Sequence, residues 1–419
     1  MTARHPWDAL RLALAAAVLT SVWRIQDLFP ALAPLRLPSL MLLALLGLMV
    51  ISPREQARIS LVGRSFVMRG VFAIVVMAVL SVPTSLWMGL SFDFFIKNLL
   101  PAVVLALAAA AAIYTVADAR RIAAIQLGGA TLYAIVILTK FEVGEGGRLG
   151  NLVYYDANDL GMLMVCVVPL ALYFIGDTAR PLARIVGVTM VGLFLLTIAK
   201  TGSRGAFLAL IAMTLYLLFR FSTVHWARRV AILGGVTAIF VASTGAHYWS
   251  MMGTILEPKA DYNWVGNTDA GRMDLWLRGM NYMLDRPLTG VGLAAFPIAE
   301  GTISPIADRQ MFGRGVKWGA AHSAYVQIGA ELGVLALLVF LAILGSALLM
   351  CGRLAREAQR RGALSIVALS RAQGASLVGF MVAAAFLSQA YAPFLFISFG
   401  AIIGLDLAAR QSWRTGALT

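Results

Sequence analysis

Twelve apolar runs separated by short connections constrain this chain more than any other feature. They lie near 9–23, 39–52, 67–85, 95–116, 122–139, 158–176, 185–200, 205–219, 230–249, 322–351, 373–390 and 394–409. The hydrocarbon core of a bilayer takes about 20 helical residues. Backbone groups in it must be paired within the segment, which a helix achieves. The expected fold is therefore all-α and polytopic, with about twelve transmembrane helices, several short, in one membrane domain over residues 1–419. Composition agrees: 60% of the 419 residues are hydrophobic and 13% charged, more apolar surface than a soluble protein of this size buries. Arg4 and Arg11 precede an Ala-rich stretch as in a signal peptide, but the many spans that follow make it an uncleaved first helix.

A net charge of +14 would suggest nucleic acid as the partner of a soluble protein. Here the basic residues concentrate in alternate connections instead. Arg54, Arg58, Arg64 and Arg69 share one, Arg120 and Arg121 another, and Arg353, Arg356, Arg360 and Arg361 a late one. Such clusters mark cytoplasmic loops, so both termini are expected inside and no nucleic acid is expected. Three polar segments then fall outside: the loop 141–158, the turn 200–204 and the long loop 250–321, inserted between transmembrane helices. Cys166 and Cys351 lie in or beside apolar runs, without disulfide or zinc spacing.

The candidate chemistry gathers on that outer side. Thr201-Gly202-Ser203-Arg204-Gly205 opens a helix, where free N–H groups and hydroxyls suit an anion. Arg204 adds a fork matched to phosphate, with Lys200 and Ser203 beside it as substrate-binding residues. Arg204 also reads as an arginine snorkelling to the interface. Arg272 opens an amphipathic stretch in which Met273, Trp276, Leu277, Met280 and Leu284 recur at helical spacing. The stretch as a whole reads as a helix on the membrane surface with Trp276 at headgroup depth. Arg314 and Lys317 form a basic patch ahead of His322. Neutral imidazole accepts a proton near neutral pH, and those cations together with a helix N-terminus disfavour imidazolium. Glu331, nine residues further on, is expected to serve packing or a structural hydrogen bond. Asp156 and Asp159 offer a hard-cation pair, or Asn158 and Asp159 a helix cap. Capping is the preferred reading, and no metal or cofactor is expected. No HExxH, Walker loop, GxSxG or CxxC array occurs.

These motifs, in this order over roughly 150–340, resemble the O-antigen ligase and O-antigen polymerase superfamily of bacterial integral-membrane glycosyltransferases. The resemblance rests on Asp156-Ala157-Asn158-Asp159-Leu160, Thr201-Gly202-Ser203-Arg204-Gly205-Ala206, Gly271-Arg272 with Trp276, Pro287-Leu288-Thr289-Gly290-Val291-Gly292, and Ala321-His322-Ser323-Ala324-Tyr325 through Glu331-Leu332-Gly333. Ala157, where relatives often carry proline, and Ser323, where they often carry asparagine, are mild departures. The resemblance implies a GT-C-like fold in the bacterial inner membrane with its site facing the periplasm. The donor it implies is a glycan on undecaprenyl diphosphate. The acceptor is lipid A–core in a ligase, or a second lipid-linked glycan in a polymerase. By the same resemblance Arg204 and Arg272 would bind the diphosphate and His322 would be needed for transfer. A lipid-linked-glycan flippase is the alternative from another class, but it should carry charges and broken helices near the midplane, whereas most charges here gather at one surface.

Overall fold

The structure, a computed structural model, describes residues 7–141, 144, 148–150, 152, 154–177, 181–220, 225–257, 271–309 and 319–416. Helices α1 (Ala9–Ser21), α2 (Ile25–Leu28), α3 (Leu37–Ile51) and α4 (Pro53–Gly63) come first. Next are α5 (Phe66–Ser81), α6 (Met88–Phe94), α7 (Leu100–Ala112) and α8 (Val116–Lys140). Then come α9 (Ala157–Asp177), α10 (Pro181–Thr201), α11 (Arg204–Arg220), α12 (Trp226–Ala242) and α13 (Ala246–Gly253). Three shorter helices, α14 (Arg272–Asp285), α15 (Phe296–Thr302) and α16 (Ala324–Leu332), precede α17 (Val334–Arg360), α18 (Leu364–Ala383) and α19 (Pro393–Thr415).

The fold is that of an all-α polytopic membrane protein. Among the described residues eight helical segments are long and apolar enough to cross a membrane, or up to ten if each of two bent pairs is one span. The bent pairs are α4 with α5, at 88°, and α12 with α13, at 106°. All twelve expected runs lie on helices. The two outside this count are on α1, with 13 residues, and α11, with 17, both short of the length a bilayer takes.

The bundle closes around α18, which packs against α9, α11 and α17. Lipid is as apolar as leucine, so helices in it associate through close packing of small residues. Ala372, Gly374, Ala375, Ser376, Gly379 and Ala383 supply that surface, and all are buried.

The arginines identify one end of the bundle. Arg11 donates to the Ala112 carbonyl at 3.3 Å and pairs with Asp118 at 2.8 Å. Arg58 reaches the Ile113 carbonyl at 2.5 Å and Gln411 at 3.3 Å, and Arg361 lies over Trp413. The basic connections separated in sequence therefore share a face. The opposite end is tied by the Tyr155 hydroxyl, which donates to the Val22 carbonyl at 2.6 Å, and by the Leu149 N–H on the Lys200 carbonyl at 3.0 Å. If the arginine-rich end is cytoplasmic, a topology reporter fused after Ser304 should read as periplasmic and one after Arg361 as cytoplasmic. Cytoplasmic signal from both would reverse the arrangement.

At that opposite end α14, α15 and α16 build a small core of their own from Leu275, Tyr282, Val291, Phe296 and Ala330. Glu300 is fully buried in it, where the Arg278 fork holds it at 3.0 and 2.7 Å and the Tyr282 hydroxyl donates at 2.7 Å. A buried carboxylate persists only with such pairing. The apolar run 322–351 reads as one helix, but Gly333 breaks it at φ 89°, where an added Cβ would run into the Pro287 carbonyl. The freed backbone pairs with the preceding turn instead. Val334 N–H donates to the Pro287 carbonyl at 2.9 Å, Val291 N–H to Ala330 at 2.8 Å and Gly292 N–H to Glu331 at 3.0 Å. Glu331 itself accepts from the Tyr391 hydroxyl at 3.0 Å, a structural hydrogen bond as expected. Burial pushes its carboxyl up to about 7.

Candidate active site

Four chain segments meet at the end away from the arginine clusters: the starts of α9, α11 and α14, and the residues that lead into α16. The start of α9 is set by Asp156, whose Oδ1 accepts from the N–H groups of Asn158 (2.7 Å) and Asp159 (2.8 Å). The cap thus lies at Asp156 rather than at Asn158 or Asp159, because a capping carboxylate receives N–H groups two and three residues ahead. Asp159 accepts from Gln389 at 2.7 Å, which fastens α9 to the break between α18 and α19. Both carboxylates are therefore engaged, one as a cap and one as a clamp.

The turn 201–204 is held just beside this start. Gly202 takes φ 58°, and an added Cβ there would meet the Arg148 side chain at 2.8 Å. Arg148 donates to the Thr201 carbonyl and to Asn158 Oδ1, each at 3.0 Å, so it locks the turn to α9. Ser203, 2% exposed, accepts from the Ala206 N–H at 3.2 Å. Its hydroxyl caps α11 and does not face outward. Arg204 is half-buried and donates to Thr254 Oγ1 at 2.7 Å. Lys200 is exposed at the end of α10. Gly205 lies against Phe386, whose ring stands 6.3 Å from that of Trp276, so Phe386 is the wedge between the start of α11 and the first turn of α14.

Trp276 is tied to the segment that leads into α16. Its indole N–H donates to the Ala321 carbonyl at 3.0 Å, which turns the ring inward, while Met273, Leu277, Met280 and Leu284 face out. The hydrogen bond to the residue before His322 explains this, since a buried indole N–H needs a partner. His322 sits at φ 47°, a left-handed conformation that costs a non-glycine residue about 1–2 kcal/mol. Its N–H donates to Ser388 Oγ at 2.9 Å, and Ser323 behind it caps α16 through the Val326 N–H. Backbone strain held by the surroundings is a feature of functional sites. Burial lowers the imidazole's affinity for a proton, Arg272 lowers it further and Asp156 opposes both; the net shift is downward. Arg272, His322 and Asp156 are thus electrostatic neighbours. Arg314 and Lys317 lie outside the described residues, so their expected place in the patch is not described.

Residues 188–341 match the O-antigen ligase family. That stretch, 154 of the 419 residues, is similar to the O-antigen ligase and polymerase superfamily. The match begins inside α10 and ends inside α17, and it contains the 201–204 turn, Arg272 and His322. The match supports a membrane glycosyltransferase of the ligase or polymerase type. No curated protein matches the chain. Sequence reasoning proposes Arg204, Arg272 and His322; it does not name Arg148, Thr254 or Ser388, which hold the turn 201–204, Arg204 and His322. Spacing does not mark Thr254 and Ser388, which act across 50 and 66 residues of chain, nor the Arg148 bond to Thr201 across 53.

Proposed function

We propose that this glycosyltransferase moves a glycan from undecaprenyl diphosphate to an acceptor hydroxyl, on the periplasmic side of the bacterial inner membrane, with inversion at the anomeric carbon. The observation that supports the reading best is a half-buried His322, held in a left-handed backbone, with Arg272 as an electrostatic neighbour that lowers its proton affinity. His322, neutral at pH 7, takes the proton of the acceptor hydroxyl as its oxygen bonds to the anomeric carbon. The bond from that carbon to the diphosphate oxygen breaks, and the diphosphate leaves with the electron pair. Arg204 and Arg272 neutralise the charge that develops there. Lys200 adds a mobile cation at the rim, and Ser203 acts by holding the start of α11 in place.

Arginines fill the role that a divalent ion plays in other transferases, and Asp156 and Asp159 are occupied as cap and clamp. Chelation is therefore expected to leave transfer intact. Activity lost to EDTA and restored by magnesium or manganese would move the two carboxylates into the chemistry.

Lipid A–core is the acceptor in a ligase. The test is to incubate purified protein with an undecaprenyl-diphosphate glycan and either lipid A–core or a second lipid-linked glycan. Glycosylated lipid A–core with release of undecaprenyl diphosphate supports the ligase reading, and an elongated lipid-linked glycan supports a polymerase. Movement of donor across a membrane without either product would make the chain a flippase and overturn transfer.

A further inference from the structure

The transfer reaction uses nothing at the arginine-rich end, yet one group there is built unlike its neighbours. Arg371 lies seven residues into α18, about 10 Å along the helix from its start, and is 8% exposed. Its Nε has no hydrogen-bond partner. The hydroxyl of Tyr216 on α11 lies against Gly374, one turn further along α18, and acts electrostatically on Arg371. The charged groups that act on it are Arg220 at the end of α11, Arg229 of α12 and Arg356 of α17. Arg229 is directed by its own bond to the Leu218 carbonyl at 3.0 Å. Glu357, the acid next to Arg356 in sequence, is turned to Arg361 at 2.6 Å and Arg360 at 3.9 Å. The connection 221–224, Phe-Ser-Thr-Val, contains no acid.

Four guanidiniums from four helices therefore converge with no carboxylate acting on Arg371 among the described residues. Guanidinium does not deprotonate in proteins, so the repulsion is not relieved by losing a proton. A buried unpaired charge is strongly destabilising, and the remedy is an anion. Arginine forks match phosphate oxygens, and basic pockets between transmembrane helices suit phospholipid headgroups.

We propose that Arg220, Arg229, Arg356 and Arg371 form a binding site for a phosphate anion, supplied by the headgroup of an anionic phospholipid. Arg220 and Arg356 are exposed at the mouth and Arg371 forms the floor.

The test follows thermal unfolding and lipid retention, by native mass spectrometry, of the full chain in neutral detergent. The additives are phosphatidylglycerol, phosphatidylcholine or inorganic phosphate. Phosphatidylglycerol should raise the midpoint and remain bound, and phosphatidylcholine should do neither. Arg220→Gln with Arg356→Gln should weaken retention roughly twenty-five-fold, at about five-fold for each arginine near the surface. Arg360→Gln with Arg361→Gln, on the same end but paired with Glu357, should retain lipid as the parent does. Arg371→Lys is the test of the floor, and the exposed pair keeps the test open if that variant does not fold. Equal stabilisation by inorganic phosphate would support the anion site with free phosphate as its source. Equal retention in the Arg220/Arg356 variant and the parent would overturn the site, as would equal losses in the two double variants.

Discussion

Replacing His322 with alanine is expected to lower glycan transfer by about 10²–10⁴-fold, the usual contribution of a general base, while the protein still inserts and binds donor. The geometry makes the choice of variant matter. His322 holds a left-handed backbone, a region in which histidine and asparagine are enriched and to which alanine is less suited. Asparagine tolerates that region far better, but it has no basic nitrogen. His322→Asn should therefore fold like the parent and remain as inactive as His322→Ala, which separates loss of the base from loss of structure. The measurements are single-turnover transfer with purified donor and acceptor, and donor binding in the same preparations. Near-normal turnover in either variant would remove His322 from the mechanism.

Arg204 gives the second large effect. Its Nη1 donates to Thr254, so Thr254 helps to fix the guanidinium that would meet a diphosphate. Lysine keeps the charge but offers no planar fork with which to hold both partners. Arg204→Lys should lose at least about ten-fold in kcat, and Arg204→Ala about 10²–10³-fold, as when a donor to a developing anion is removed. Because the contact strengthens as charge builds on the leaving group, kcat should fall as well as donor affinity. Thr254→Val should show a smaller defect of the same kind, since it loosens Arg204 without removing it. An Arg204→Lys enzyme with full activity would make Arg204 an interfacial snorkel and pass its role to Arg272 or Lys200.

Membrane-length runs read directly as helices because lipid leaves the backbone no other way to pair. All twelve runs lie on helices for that reason. The breaks are harder to read. Gly333 ends α16 because the turn around Pro287 offers its carbonyl to Val334, a contact made across 47 residues. The site divides in the same way. Arg204, Arg272 and His322 stand out because arginines and a histidine next to apolar runs are conspicuous. The residues that hold Arg204 and His322, Thr254 and Ser388, come from other segments, so spacing carries no trace of them. Trp276 shows the limit of helical periodicity. The pattern identifies an amphipathic helix correctly but gives no sign of the Trp276 hydrogen bond, because the carbonyl of Ala321 that accepts from the indole N–H is 45 residues away.

The most direct test of the site as one unit is the pH dependence of kcat/KM, which reports the proton affinities of the free enzyme's essential groups. His322 is shifted downward by burial and Arg272 and upward by Asp156. A base with a lowered pKa stays unprotonated to lower pH, so the acidic limb of the parent enzyme should fall below 6.5, the value for an unperturbed imidazole. Removing the positive neighbour favours imidazolium. In Arg272→Gln the residual activity should therefore show that limb at higher pH, and in Asp156→Asn it should move lower. A limb that stays in place in both variants would contradict His322 as the base and the joining of these three residues in one reaction centre.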